Sequence, residues 1–250
     1  MAFSEVRRTA PDGHTLFLAD TATLAVNPLL HPSLPYDPVR DLVPLTLLFR
    51  VTFLVWTAAG GRHRTLADLL RQARAARESV SYASLGNGHA SQVAVESFAR
   101  AAGVWLAHVP FKDAGALMAS VVSGDVDFTA SGVNTVSALH AAGRLRPLAV
   151  AAAQRLPGLP EVPTLVEAGG PAMEMRPWAA LVAVAGTPAL VVERLEHDIA
   201  TALGSPELRA RVEQAGFEIT PSTPRAVRER MAADAALYAP LVSEGRVARL

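Results

Sequence analysis

An α/β fold is predicted for this chain by three features of its sequence. From Val80 to Ala153, short runs rich in β-branched and aromatic residues alternate with segments of helical periodicity, the rhythm of a parallel, helix-covered sheet. Half of the 250 residues are hydrophobic and 18% are charged, enough apolar material to bury one large core or two small ones. The longest apolar run, Leu42 to Gly61, carries Arg50 at its centre and Pro44 near its start. A charge at mid-bilayer costs roughly 2.5 to 3.5 kcal/mol, so the run reads as two buried strands on either side of Arg50 and not as a membrane span.

The elements follow in order. A helical stub ending at Ala10, entered at Met1 without a cap, precedes the turn Pro11-Asp12-Gly13 and a strand. After the strands around Arg50, Thr65 caps a helix with Asp68 three residues on, and Leu66, Leu69, Leu70 and Ala73 form its apolar stripe. The strand Val80–Ser84 leads to a helix from about Ala90 to Ala102. "WLAHVPF" leads to a helix with Asp113 as N-cap and Gly124 just past its end. "VDFTAS" leads to the helix of "TVSALHAAG", and "LRPLAVAAA" closes the series. The proline-rich stretch Gln154 to Pro171 is long for a connection inside one domain and reads as a boundary or a wrapped surface segment. The strand "WAALVAVAG" follows. Thr187 and Pro188 then read as N-cap and first residue of a helix to Leu203, and two more helices flank the short strand "FEIT".

Lys plus Arg equals Asp plus Glu at 23 each, with no block of like charge, so the balance advertises neither nucleic acid nor an anionic membrane. The chain has no cysteine, which excludes disulfides, thiolate metal sites and a cysteine nucleophile. Seven histidines show no zinc-binding spacing and no Gly-x-Ser-x-Gly elbow occurs; no metal, no cofactor and no catalytic residue is expected. "AFSEVRRTA" after Met1 has no basic region leading into an apolar stretch, so no secretory signal is read there.

One stretch invites a ligand. In "SLGNGHAS" a strand breaks into a glycine-rich loop and then opens a helix, where free N–H groups and the helix dipole favour negative charge. A Walker loop needs Gly-Lys-Ser/Thr, but Gly88 is followed by His89, and a dinucleotide fingerprint needs a third glycine where Ser91 stands. A smaller anion such as a carboxylate remains, beside the plain alternative of a capped turn. Asp20, Thr21, Thr23 and Asn27 end another strand, where they either face a ligand or cap the next helix. Asp125 and Asp127 flank Val126, as a cleft wall or a solvated strand entry.

Several segments in one order carry a resemblance: "APDGHTLFLADTATLAVNPLLHPSLPYDPVRDLVPLTLL", "SYASLGNGHASQVAVESFARAAGV", "HVPFKDAGALMASVVSGDVDF", "AAGRLRPLAVAAAQRLPGLPEVPTLVEAGGP", Trp178 and "AGTPALVVERL". From about Glu5 to the C-terminus the chain resembles the Bug-type extracytoplasmic solute receptors, the substrate-binding proteins of tripartite tricarboxylate transporters. The resemblance implies a type II periplasmic-binding-protein fold, two α/β domains with a ligand cleft between them. The division it suggests is 1–60 and 177–250 for the first domain and 61–176 for the second. It implies a small carboxylate ligand, the transporter's membrane subunits as partners, a monomer, no covalent chemistry and a periplasmic location. By position, Thr21 and Thr23 would contact the ligand from one domain; Ser84, Gly86, Asn87, Gly88 and Ser91 from the other, with Asp127 near the hinge-side wall.

The sequence departs from the family pattern in three places. His89, Ala90 and Gln92 stand where the family has small hydroxylated residues and a histidine, so His89 is added to the ligand-facing set. "PFKD" replaces Pro-Tyr-Lys-Gly, placing Asp113 at a glycine position. The chain also begins at the family's last helical turn before Pro11-Asp12-Gly13, which predicts an N-terminally truncated fold without signal peptide, first strand or first helix. Two alternatives stand beside the receptor: an enzyme on a similar α/β scaffold, built on a histidine such as His89 or His108, and a truncated remnant or interaction domain that binds no ligand.

Overall fold

The computed structural model describes residues 2–250; Met1, the start of the uncapped helical stub, lies outside the described residues. The chain forms two compact units. One comprises the residues up to Val51, Pro177–Val242 and Arg249–Leu250; the other comprises Thr52–Arg176 and Ser243–Ala248.

The first unit is built on a four-stranded sheet of β1 (Phe17–Asp20), β2 (Leu42–Arg50), β8 (Trp178–Val184) and β9 (Glu218–Ile219), ordered β1-β8-β2-β9 and antiparallel throughout. β8 lies between two neighbours, which is why "WAALVAV" is apolar on nearly every residue. Short helices α1 (Ala2–Val6) and α2 (Asn27–Leu30) and a π-helical turn at Ala22–Val26 flank β1. Three longer helices follow: α7 (Ala189–Leu203), α8 (Pro206–Gln214) and α9 (Pro224–Ser243).

Val227 and Met231 of α9 pack with Phe3, Ala19, Leu24, Trp178, Ala180 and Val182, each large side chain contributing about 1.5–3 kcal/mol by burial. Within this apolar cluster the Trp178 indole donates to Asp234 Oδ2 at 2.6 Å, and Arg230 holds the other carboxylate oxygen at 3.0 Å. Gly13 turns the chain with φ +85°, and a Cβ there would meet Val191 Cγ1 at 2.3 Å. Backbone conformation and close approach therefore both require glycine.

The second unit carries a five-stranded sheet ordered β5-β4-β6-β3-β7, with β3 Leu54–Ala58, β4 Ser81–Ser84, β5 Ala107–Pro110, β6 Phe128–Ser131 and β7 Leu145–Val150. Helices α3 (Leu66–Ala75), α4 (Ala90–Ala101), α5 (Ala114–Ser123) and α6 (Val133–Ala141) separate the strands. Thr65 and Asp68 form the expected capping box, Asp113 accepts from the Ala116 N–H, and Gly124 ends α5 in the left-handed region. The proline-rich stretch wraps this unit: Val162 and Leu165 are buried, and Thr164 bridges to Val150.

Two expectations are corrected. The second sheet is mixed: β4 pairs in parallel with β5 and β6, but β3 runs antiparallel to both β6 and β7. β4 therefore begins at the end of the sheet where β3 finishes, and α3 does not serve as a crossover between parallel strands; the alternation of element types does not encode that return path. The other correction is Thr187, which is not the cap of α7. Its hydroxyl donates to the Val184 carbonyl at 2.8 Å, and the cap position is Pro188, without a side-chain bond.

A short C-terminal segment completes the second unit. Arg246 is stacked on one side of Trp105 at 4.1 Å, donates to the Val104 carbonyl at 3.0 Å, and lies 3.6 Å from the buried Glu96 carboxylate.

Replacing Asp234 with alanine strips the Trp178 indole and Arg230 of their buried acceptor, and a loss of about 1–3 kcal/mol is expected. Urea unfolding measures it, and Asp234→Asn, which keeps an acceptor oxygen, is expected to lose less.

Candidate functional site

The glycine-rich loop leaves the carboxyl end of β4 at Ser84 and enters α4 at His89. Gly86 (φ +108°) and Gly88 (φ +76°) carry the turn in conformations that residues with a Cβ rarely adopt, and the space beside Gly86 is open. His89 is the N-cap; its Nδ1 accepts from the Ser91 N–H at 3.1 Å and lies 2.8 Å from Ser91 Oγ. A neutral His89 therefore carries its proton on Nε2.

Beneath the loop, side chains satisfy its inner N–H groups. Gly86 N–H donates to Ser84 Oγ at 3.2 Å, and Gly88 N–H donates to Gln92 Oε1 at 2.7 Å. Gln92 Nε2 lies 3.2 Å from His108 Nδ1, and His108 Nε2 lies 2.6 Å from Ser84 Oγ. Ser84 and Gln92 are buried. Burial holds the His108 pKa down to about 4, and the ring stacks on Tyr82 at 5.0 Å between centroids. Tyr82 in turn donates to Glu96 at 2.6 Å. Burial pushes the Glu96 pKa up, although Tyr82 and Arg246 pull it down.

Neither Asn87 N–H nor Ala90 N–H has a hydrogen-bond partner among the described residues, Asn87 is exposed, and no acidic residue occurs from Ser84 to Gln92. These are the chemical requirements for holding a carboxylate at a helix N-terminus.

Asp127 lies elsewhere in the same unit. It precedes β6 and bonds Ser81, at the amino end of β4, so about 10 Å of strand separates it from Ser84. Its carboxylate takes two bonds from Arg62 (2.7 and 2.8 Å), two from Ser81 (2.8 and 3.0 Å) and one from His63 (3.2 Å). Burial acts to raise its pKa, but Arg62 and the Ser81 donors outweigh that and hold it below the ordinary carboxylate value. Burial also keeps the His63 pKa low despite the adjacent charge.

Thr21 and Thr23 belong to the other unit. The buried Thr21 hydroxyl donates to the Trp178 carbonyl at 3.1 Å and accepts from the Trp178 N–H at 2.9 Å. Thr23 uses both its N–H and its hydroxyl on Asp20 Oδ1, at 2.8 and 2.7 Å. The structure thus brings Ser84, Gly86, Asn87, Gly88, His89 and Ser91 together and places Asp127 in a separate network.

Gln92 and His108 are absent from the expected ligand-facing set; the sequence offers Gln92 only as a departure from the family pattern and His108 only for the enzyme alternative. Gln92 had a signal, since it stands three residues after the N-cap, where a side chain reaches back toward the loop. His108 had none, because only the parallel register that sets it beside Tyr82 reveals its partners.

The family description "Tripartite tricarboxylate transporter family receptor" matches residues 1–242. The chain belongs to this family. A relative from Pseudomonas sp., the UPF0065 protein of the tcbD-tcbE intergenic region, is 32% identical over 97% of this chain and 72% of its own length. An R. palustris protein solved with adipate superposes with a TM-score of 0.87 at 28% identity, over 100% of this chain and 83% of that one. MatC from Rhodopseudomonas palustris, solved with bound malate, gives 0.81 at 26% identity, over 96% and 83%. Members of this receptor family are periplasmic solute-binding proteins and not enzymes. Among the described residues of this receptor, no helix is long and apolar enough to cross a membrane, and no group of three or more His, Asp or Glu side chains is placed to hold a metal ion.

The Asp127 network makes a pH prediction. Its folded pKa lies below the unfolded value of about 3.9, so its contribution is present above that pH and lost as the pH falls through the folded pKa. Asp127→Asn is expected to be less stable at neutral pH and to show a shallower acid limb in urea unfolding measured from pH 7 to pH 3. An acid limb as steep as that of the parent would count against this assignment.

Proposed function

We propose that this receptor binds a small dicarboxylate and passes it to the membrane subunits of a tripartite tricarboxylate-type transporter, without chemistry. The observation that carries the reading is the glycine loop after β4: N–H groups of Asn87 and Ala90 without hydrogen-bond partners among the described residues, an exposed Asn87, a twelve-residue helix behind them and no acidic residue from Ser84 to Gln92. The adipate and malate in the two R. palustris structures are both dicarboxylates, which supports the ligand class.

In this proposal Asn87, Ala90 and His89 face the ligand, while Gly86 and Gly88 let the backbone approach it. Ser84 and Ser91 act from below the loop. Thr21, Thr23 and Asp127 serve as supports, because their polar atoms already bond to Trp178, Asp20, Arg62 and Ser81. The periplasm is the proposed location and the monomer the proposed working form, both by kinship with the family.

The enzyme alternative loses its best pair. Ser84 and His108 are within hydrogen-bond distance, but a base needs an unprotonated nitrogen facing the hydroxyl, and Gln92 occupies Nδ1 as a donor, leaving the proton on the nitrogen that faces Ser84.

The test is thermal shift and calorimetric titration against adipate, malate, citrate, glutamate and neutral diols of matching length. A saturable rise in Tm for at least one dicarboxylate and none for the diols is expected; at a concentration 100 times Kd the stabilisation is about 2.7 kcal/mol. A cooperatively melting protein that responds to no acid would overturn the proposal.

A further inference from the structure

The direction of every hydrogen bond beneath the glycine loop follows from one group that can only donate. The Gly88 N–H lies 2.7 Å from Gln92, so the atom it meets is the amide oxygen. The amide nitrogen then faces His108 Nδ1, and because it too can only donate, Nδ1 is an acceptor without a proton. The neutral ring carries its proton on Nε2, which therefore donates to Ser84 Oγ at 2.6 Å. Ser84 Oγ also receives the Gly86 N–H, and its own hydrogen points to the Gly86 carbonyl, 3.2 Å away. Both glycine N–H groups end on one buried relay, while the N–H groups of Asn87 and Ala90, with that of Leu85, have no partner among the described residues.

We propose that His108 and Gln92 are positioning residues: with Ser84 they form a clamp that consumes the Gly86 and Gly88 N–H groups from below and so fixes the loop in the conformation that offers the Asn87 and Ala90 N–H groups, selecting ionised carboxylates over neutral isosteres. Neither residue touches the ligand. The selectivity clause rests on the carboxylate reading above; the clamp itself does not.

The relay requires a donor toward Ser84 and an acceptor toward Gln92 from one side chain. A glutamine amide offers both, and leucine offers neither, so His108→Gln and His108→Leu are the informative pair.

The experiment is made on the full chain in two parts. Nitrogen-15 NMR at pH 7 reports the His108 tautomer, and amide hydrogen exchange reports the protection of Gly86 and Gly88. The expected result is a protonated Nε2 and a bare Nδ1, with both glycine amides protected in the parent and in His108→Gln. Protection is lost at Gly88 in Gln92→Leu and at both glycines in His108→Leu. A proton on Nδ1, or glycine amides that exchange alike in all four proteins, would overturn the clamp.

With a dicarboxylate identified by the titrations, His108→Leu is expected to weaken binding about tenfold, the equivalent of roughly one hydrogen bond, and His108→Gln to restore it. Parent-like affinity in His108→Leu would overturn the positioning role. A correct tautomer and exchange pattern in a protein that binds no acid would leave the clamp standing and remove the carboxylate reading instead. His108→Leu is compared with Gln92→Leu in case one of them fails to fold, since each breaks the relay at a different bond.

Discussion

A backbone N–H that is buried must find an acceptor, and in the second unit that demand shapes the candidate site. A loop held open by two glycines of positive φ offers no repeating ladder to absorb its N–H groups. Ser84 and Gln92 supply the acceptors from within the unit, and His108 joins them from the neighbouring strand. The parallel pairing of β4 with β5 is what delivers His108 to that place, opposite Tyr82. The loop, the register of two strands and the orientation of one amide thus depend on one another. Any change that slid β5 by a residue would turn His108 to the opposite face of the sheet.

What could be read from the sequence was local. Thr65 with Asp68, and Asp113 with Gly124, announce helix ends through bonds that span three or four residues, and the structure contains them. The fold class followed from the alternation of elements, and the family from motifs in order. The direction of β3 did not follow, since a strand's sense depends on neighbours such as β6 and β7 that lie more than seventy residues away in the chain. Thr187 failed for a subtler reason: a hydroxyl before a helix can turn toward its N–H groups or back toward a carbonyl, and the two choices leave the same trace in a sequence.

The candidate site divides along the same line. The glycine loop was visible because its conformation requires a residue type. Thr21 and Asp127 were visible only as polar residues at strand ends, where a ligand contact and a structural bond look alike. Thr21 bonds to Trp178, 157 residues away, and Asp127 to Arg62 and Ser81, 65 and 46 residues away. His108 enters the enzyme alternative as a histidine, but its partners fix the proton on the nitrogen facing Ser84, which suits holding a hydroxyl and not activating it.

The stacking of Arg246 on Trp105 has a consequence for the order of assembly. Glu96 is buried under the site, and the cation beside it belongs to a segment 142 positions beyond Val104, with most of the first unit's later helices encoded in between. During synthesis the second unit's own strands and helices emerge early, yet Glu96 must wait for its counter-charge until those helices have left the ribosome. Folding of the glycine loop's foundation is thereby tied to the synthesis of a segment that follows α9, so the candidate site takes its final form only after the first unit's later helices have been made.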